Sequence, residues 1–220
     1  MILNASRTSA IVLSAPSGVG KTSIADALVQ GGDEFVFSVS ATTRSPREDE
    51  TDGVHYHFVK DWEFQEMLDN KELLEWAEVH GYMYGTPRDN LNETLRQGQY
   101  LVMDIDVQGA MQVRDLISEA VLVFVLPPSA DILVNRIRGR GAEDNEVLRR
   151  RFRNAWEELK SAMDFDYVVI NEDLNQAVSE VRAIAIGEAP LNYKPIDLSY
   201  TISELQGQII DIIEKDLTFY

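Results

Sequence analysis

Apolar residues at 10–13 form a run long enough for a short buried strand, and Ile24, Ala25, Leu28 and Val29 then recur at helical spacing. Residues 35–43 (FVFSVSATT) alternate apolar with small polar side chains, the period of a half-buried strand. A second strand is predicted at 55–59, and a helix capped by Asp61 runs through Met67 and Leu68. Residues 73–79 read as extended and 82–85 as a turn, after which Thr86-Pro87 opens a helix towards Leu95 with proline at its first position.

The second half has a simpler rhythm. Strands are predicted at 100–105, 121–126 and 167–170. Helices are predicted at about 107–116, 130–138, 144–163 and 174–186. Strands alternating with helices give a parallel sheet with right-handed crossovers. Residues 38–92 then stand out as a strand-rich insertion after the first helix. Past Pro190 and Pro195 the chain reads as a loose connection and one amphipathic helix over 202–217, with no function assigned.

The chain is 220 residues long, which fits one α/β domain with inserted lobes or at most two small domains. It has no cysteine, so disulfides and thiolate metal sites are excluded. The N-terminal MILNASRTS has no signal-peptide layout and no apolar run approaches membrane-spanning length, so a soluble, cytoplasmic protein is expected, with no membrane partner. A net charge of −17 argues against nucleic acid. Lys and Arg are nevertheless concentrated: eight of the twenty lie between 131 and 160 (Arg136, Arg138, Arg140, Arg149, Arg150, Arg151, Arg153, Lys160).

The chemistry begins at SAPSGVGKTS. Between a strand and a helix, a glycine-bearing turn ending Gly-Lys-Thr is a phosphate cradle. Its candidate nucleotide contacts are Ala15, Pro16, Ser17, Gly18, Val19, Gly20, Lys21, Thr22 and Ser23. Successive backbone N–H groups and the helix N-terminus face one anion, Lys21 reaches the outer phosphates, and the Thr22 hydroxyl holds Mg²⁺. Ala15 stands where the strict pattern has glycine, a small departure unless φ must be positive.

SAPSGVGKT, FSVSATTRSPR, GVHYHF, LLEWAEVHGYMYGTP, VMDIDVQGA, PPS, RIRGRG and VINED, in this order, resemble a guanylate kinase from about residue 11 to 186. The resemblance implies a P-loop kinase of α/β class, with a parallel-sheet core sandwiched by helices. Its core would comprise 1–37, 93–128 and 164–220, with a GMP-binding lobe at 38–92 and a helical, arginine-rich lid at 129–163. It implies phosphoryl transfer from ATP, with Mg²⁺, to GMP and also dGMP. Arg44, Arg47, Tyr56 and Tyr84 would grip the GMP phosphate, since guanidinium forks match phosphate geometry. Glu75 would accept from guanine N1–H and the 2-amino group, donors that adenine lacks. Ser40, Gly85, Thr86 and Asp106 resemble the remaining GMP contacts.

By the same resemblance Asp104 would sit in the Mg²⁺ shell through water, and Asn171 would lie near the ATP adenine. Arg136, Arg140 and Arg151 would fold over the transferring phosphoryl group and, with Lys21 of the cradle and Arg44 of the GMP grip, make up the catalytic set, while Arg138, Arg149, Arg150 and Arg153 read as solvated or structural. His55 and His57, placed on one strand face, lack a third metal ligand and read as structural. Trp62, Trp76 and Trp156 read as packing residues. Two rival readings stay open: a kinase of this fold with another phosphorylated acceptor, such as a ribosyl bisphosphate, and a non-catalytic module that binds protein partners. A homo-oligomer is neither required nor excluded.

Overall fold

A computed structural model describes residues 9–79, 81–139, 145–189 and 197–216. The elements are β1 (Ala10–Ser14), α1 (Lys21–Gln30), β2 (Phe35–Phe37), β3 (Ser40–Thr42), β4 (Tyr56–Phe58), α2 (Asp61–Asp69), β5 (Leu73–Val79) and β6 (Tyr82–Pro87). There follow α3 (Arg88–Gln97), β7 (Tyr100–Asp104), α4 (Val107–Leu116), β8 (Ala120–Leu126), α5 (Ala130–Arg138), α6 (Asn145–Lys160), β9 (Tyr167–Ile170), α7 (Leu174–Ala185) and α8 (Leu198–Asp216). A 3-10 turn, Ser161–Asp164, follows α6.

Five strands form one sheet in the order β2-β7-β1-β8-β9. Phe35–Phe37 lie parallel to residues 100–102, and residues 123–126 lie parallel to Tyr167–Ile170. Residues 10–13 of β1 and 122–126 of β8 are almost wholly buried, as expected of apolar strands covered on both faces by helices. The fold is thus a parallel sheet flanked by helices. The second sheet, β4-β3-β6-β5, is mixed: β3 runs parallel to β4, while β6 is antiparallel to both β3 and β5. Its small core gathers Ala41, Phe64 and Leu73, with Val59, Met67, Leu68 and Met83 packed round them.

Packing divides the chain into two compact units. One runs through β1 to Val12, resumes at Ala25 and extends to Val121; the other comprises Leu13–Ile24 and the chain from Leu122 onward.

Several predicted elements are corrected. Residues 35–43 are not one strand but two, β2 and β3, in different sheets. The break falls at Ser38-Val39. There the Ser38 N–H donates to the Val102 carbonyl at 2.8 Å, and the Asn90 amide donates to Ser38 Oγ at 3.1 Å and the Val39 carbonyl at 3.0 Å. The predicted turn at 82–85 lies within strand β6. Gly85 is there for lack of room: a Cβ would come within 2.8 Å of Leu73 Cδ1 and 3.1 Å of Phe64 Cζ.

Asp61 is the first residue of α2, not its cap. Lys60 holds the cap position, and its N–H donates to Glu63 Oε2 at 2.7 Å. Pro87 likewise caps α3 rather than opening it, because its ψ of 135° is extended. The terminal helix starts at Leu198, earlier than predicted, and buries Leu198, Ile202, Leu205 and Ile209 on one face. That face packs on α5 and α6, and the Gln206 amide donates to the Trp156 carbonyl at 2.8 Å. Trp62 and Trp76 are 56% and 45% exposed, so neither is a packing residue.

Candidate active site

In the unit containing Leu13–Ile24, the turn after β1 leads directly into α1, whose first residue is Lys21. Two of its glycines carry positive φ, Gly18 at 94° and Gly20 at 98°. A Cβ on Gly20 would also lie 2.6 Å from Asn171 Nδ2. Ala15 does not have positive φ, so its methyl is accommodated where the strict pattern has glycine. Thr22 and Ser23 are exposed at the N-terminus of the helix.

The Val19 carbonyl takes two of the bonds that tie the loop down. Val19 is fully buried, and its oxygen accepts from Arg136 Nη1 at 2.8 Å and from Asn171 Nδ2 at 2.8 Å. Arg151 reaches the same loop, donating from Nη2 to Ser17 Oγ at 3.2 Å and from Nη1 to the Ile137 carbonyl at 3.2 Å. Arg136, Arg151 and Asn171 are therefore brought to the cradle loop. Asn171, 5% exposed, spends its amide on loop backbone. Arg140 lies outside the described residues. Arg138 stacks over the Phe152 ring at 5.9 Å, a structural role as expected.

The other unit assembles a second group. Glu75 is only 3% exposed, although it sits on a strand beside the exposed Trp76. A register shift in β5 between Leu73 and Glu75 leaves Leu73, Leu74 and Glu75 all buried, the way a bulge re-aims side chains. Thr86 Oγ1 donates to Glu75 Oε1 at 2.6 Å, and Ser40 Oγ lies 3.4 Å from Thr86 Oγ1. Asp106 caps α4 by accepting from the Gly109 N–H at 2.9 Å. A Cβ on Gly109 would collide with the Glu75 carboxylate and lie 3.2 Å from Asp106 Oδ1. Ser40, Glu75 and Thr86 thus form one buried, hydrogen-bonded cluster, and the half-buried Asp106 stands near it across Gly109.

Of the residues predicted to grip a phosphate, Arg44, Tyr56 and Tyr84 are brought together, the Arg47 side chain stays 67% exposed, and Glu50, a partner that sequence reasoning missed, ties the group. Arg44 donates to both carboxylate oxygens of Glu50, at 2.8 and 2.7 Å, and from Nε to Tyr84 Oη at 3.1 Å. Glu50 also accepts from the Arg47 N–H at 2.7 Å. The Arg44 bonds hold the Glu50 carboxyl below the usual carboxylate range and hold the guanidinium in its charged form. Tyr56 stacks edge-on to Tyr84 at 5.8 Å, with the Arg44 guanidinium 5.5 Å from its ring. Burial first, then the negative charge of Asp104, pushes the Tyr56 phenol up to about 12, so it remains an O–H donor. Burial and Asp104 likewise raise the Asp26 carboxyl. Glu50 was missed because nothing distinguishes it from Glu48 and Asp49 in an acidic turn.

His55 and His57 do not share a strand face, since β4 begins at Tyr56, and His55 Nδ1 accepts from the Thr51 N–H at 3.0 Å. Among the described residues no group of three acidic, histidine or cysteine side chains is placed to hold a metal, and no helix is long and apolar enough to cross a membrane.

Comparison with known proteins gives a consistent result. The family model described as guanylate kinase matches residues 7–186. The chain is 44% identical over 178 residues to a guanylate kinase of Caldanaerobacter subterraneus subsp. tengcongensis, covering 81% of this chain and 86% of that one. It is 40% identical over 201 residues to that of Carboxydothermus hydrogenoformans, covering 91% and 97%. The crystal structure of guanylate kinase from Anaplasma phagocytophilum superposes with a TM-score of 0.67 at 29% identity, covering 96% of this chain and 95% of that one.

Proposed function

The chain belongs to the guanylate kinase family, and on that premise we propose how its residues divide the work of the reaction. The protein is a nucleoside monophosphate kinase: it transfers the γ-phosphoryl group of ATP to GMP, giving ADP and GDP. We take residues 38–92 as the GMP lobe and 129–163 as the lid, the rest being the core. Both nucleotides are cytoplasmic metabolites, which favours a cytoplasmic setting.

One observation carries the assignment of the GMP site: a carboxylate, Glu75, kept 3% exposed and hydrogen bonded by Thr86. Burying a charge is costly unless partners answer it. Guanine offers two adjacent donors, N1–H and the 2-amino group, that a carboxylate can accept together. Adenine offers neither, and a buried polar site built for a missing donor can reject the analogue by about 10⁴-fold. In this reading Ser40, Thr86 and Asp106 complete the base contacts, while Gly85 serves by being small enough to pack against Leu73 and Phe64.

The GMP phosphate is assigned to Arg44, Arg47, Tyr56 and Tyr84. Tyr84 accepts from Arg44 Nε, which leaves its own hydrogen for the phosphate. The phosphates of ATP are assigned to the loop from Ala15 to Ser23, with Lys21 at the helix N-terminus. Arg136 and Arg151, already bonded to Val19 and Ser17, are taken as the arginines that answer the charge of the transition state, together with Arg140.

No general base is required. The attacking atom is a phosphate oxygen of GMP, largely ionised at neutral pH because its second pKa is about 6. The bond from that oxygen to the γ-phosphorus forms as the bond to the β,γ-bridging oxygen breaks, and ADP leaves. The protein positions the two phosphates, neutralises charge and excludes water.

Mg²⁺ is a hard cation that prefers oxygen ligands and retains waters, so a hydroxyl and a carboxylate each suit it chemically. Thr22 offers an exposed hydroxyl at the start of α1, and Asp104 a half-buried carboxylate whose negative field adds to burial in raising both Asp26 and Tyr56. Thr22 would hold the ion directly and Asp104 through water. When bound, it neutralises the outer phosphates of ATP.

The test is ADP release from ATP with GMP, AMP, CMP or UMP offered separately. Turnover with GMP alone is expected. Equal turnover with AMP would overturn the Glu75 assignment, and turnover with none, in a protein that binds GMP, would overturn the kinase.

A further inference from the structure

Glu75 lies on β5, an edge strand: one side pairs with β6 and the other has no strand partner among the described residues. Helix α4 occupies that open side. Gln112 sends its side-chain amide to the backbone of Trp76, the residue after Glu75, accepting from the Trp76 N–H at 3.2 Å and donating to its carbonyl at 2.7 Å. The amide thus makes both bonds that a neighbouring strand would supply. One turn earlier on the helix, Gly109 faces the Glu75 carboxylate so closely that a Cβ there would overlap it and stand 3.0 Å from Cδ. One turn before that, Asp106 caps the helix. Residues three apart lie along one face of a helix, so Gly109 and Gln112 meet Glu75 and its strand from a single stripe.

We propose that Gly109 and Gln112 are specificity-determining positioning residues: Gln112 clamps the strand that carries Glu75, and Gly109 leaves the space in which its carboxylate sits. Thr86 holds one carboxylate oxygen from β6, and Gly109 bounds the space in which the other, Oε2, sits on the α4 side. Glycine inside a helix is otherwise unfavourable relative to alanine, and Gly109 has no positive φ to require it. Its role is therefore to admit the carboxylate. Alanine at 109 would push Cδ back from 3.0 Å towards an ordinary contact, a shift of about 0.5–1 Å. Misplacement by about 1 Å can cost ~10²-fold.

The inference rests on reading Glu75 as the guanine-recognising carboxylate, and the experiment separates the two. Steady-state kinetics would be measured with GMP and with inosine monophosphate, which retains N1–H and lacks the 2-amino group, for the unaltered protein and for Glu75→Gln, Gly109→Ala and Gln112→Ala. Melting temperatures would be recorded in parallel. Gly109→Ala is expected to lower kcat/KM for GMP ~10²-fold, chiefly through KM, with a much smaller loss for inosine monophosphate and no fall in melting temperature. Gln112→Ala is expected to shift the same ratio in the same direction, more weakly.

A purely structural role would lower the melting temperature and depress both substrates equally. If Glu75→Gln collapses the preference for GMP while Gly109→Ala and Gln112→Ala leave it unchanged, the positioning role is overturned and Glu75 stands. If Glu75→Gln itself leaves the preference intact, the base-recognition reading falls, and the positioning role falls with it. Should Gly109→Ala fail to fold, the ratio in Gln112→Ala decides.

Discussion

Replacing Gly20 with alanine tests whether the phosphate loop is held in the conformation that the Val19 carbonyl implies. Two costs can be read from the structure. At φ 98° the residue lies in a region that side chains with a Cβ avoid, a strain of about 1–3 kcal/mol. The new methyl would also stand 2.6 Å from Asn171 Nδ2, the atom that donates to Val19 at 2.8 Å. Moving that buried amide aside forfeits its hydrogen bond, about 1–3 kcal/mol. The total, about 2–6 kcal/mol, falls below the stability of many domains, so a folded but weakened protein is expected. A loss near 3 kcal/mol would lower the melting temperature by about 6–12 °C for a chain of this size. If the loop relaxes instead, the same energy appears as a rise in KM for ATP of about 10²-fold. Thermal denaturation with and without ATP, alongside ATP saturation kinetics at fixed GMP, reads both routes. An unchanged melting temperature together with a KM for ATP within twofold would refute the reasoning.

Two further substitutions probe the other unit. Glu50→Gln removes the carboxylate bonded to Arg44. Because the folded Glu50 carboxyl titrates below its ordinary value, its contribution to stability is present above about pH 4.5 and lost as pH falls through the folded pKa. Melting temperatures from pH 7 to 3 should therefore fall less steeply in the variant than in the unaltered protein, and parallel curves would sink the ion pair as a source of acid sensitivity. Thr86→Val leaves Glu75 Oε1 without its 2.6 Å donor. A lost bond to a buried charge is worth about 1.5–3 kcal/mol, so KM for GMP should rise about 10- to 100-fold while KM for ATP holds; equal effects on both substrates would contradict the assignment.

The helices were legible where a cap and an apolar face coincided. Asp106 before Val107 and Asp173 before Leu174 both cap as polar N-cap residues should, and α4 and α7 start where predicted. The break inside residues 35–43 was not legible, because strict alternation continues across Ser38 whichever sheet each half joins. Gly85 and Pro87 look like turn residues, yet both lie in a strand: Gly85 answers crowding from Leu73 and Phe64, and Pro87 terminates pairing at the strand end. The cradle and the guanine-side residues could be read because their motifs are local or carried by family resemblance. Glu50, Gly109 and Gln112 could not, because each acts on a partner remote in sequence or hidden in a polar run. A glycine within a helical apolar pattern was the one available signal for Gly109. Helix α8 was under-read at its start, since burial of Leu198 depends on α5 and α6 being there to receive it.

The stapled connection at Ser38-Val39 has a mechanical consequence. Only two residues separate strands that belong to different sheets, a geometry that would suit a hinge. The Asn90 side chain, however, grips Ser38 Oγ and the Val39 carbonyl at once, while the Ser38 N–H is committed to Val102. Any rotation of β3 about this link must break the two Asn90 bonds or carry α3 along with it, and it also pulls against the Ser38–Val102 bond to β7. The joint is splinted, and bending in this part of the molecule is displaced to segments whose backbone is not bonded on both sides.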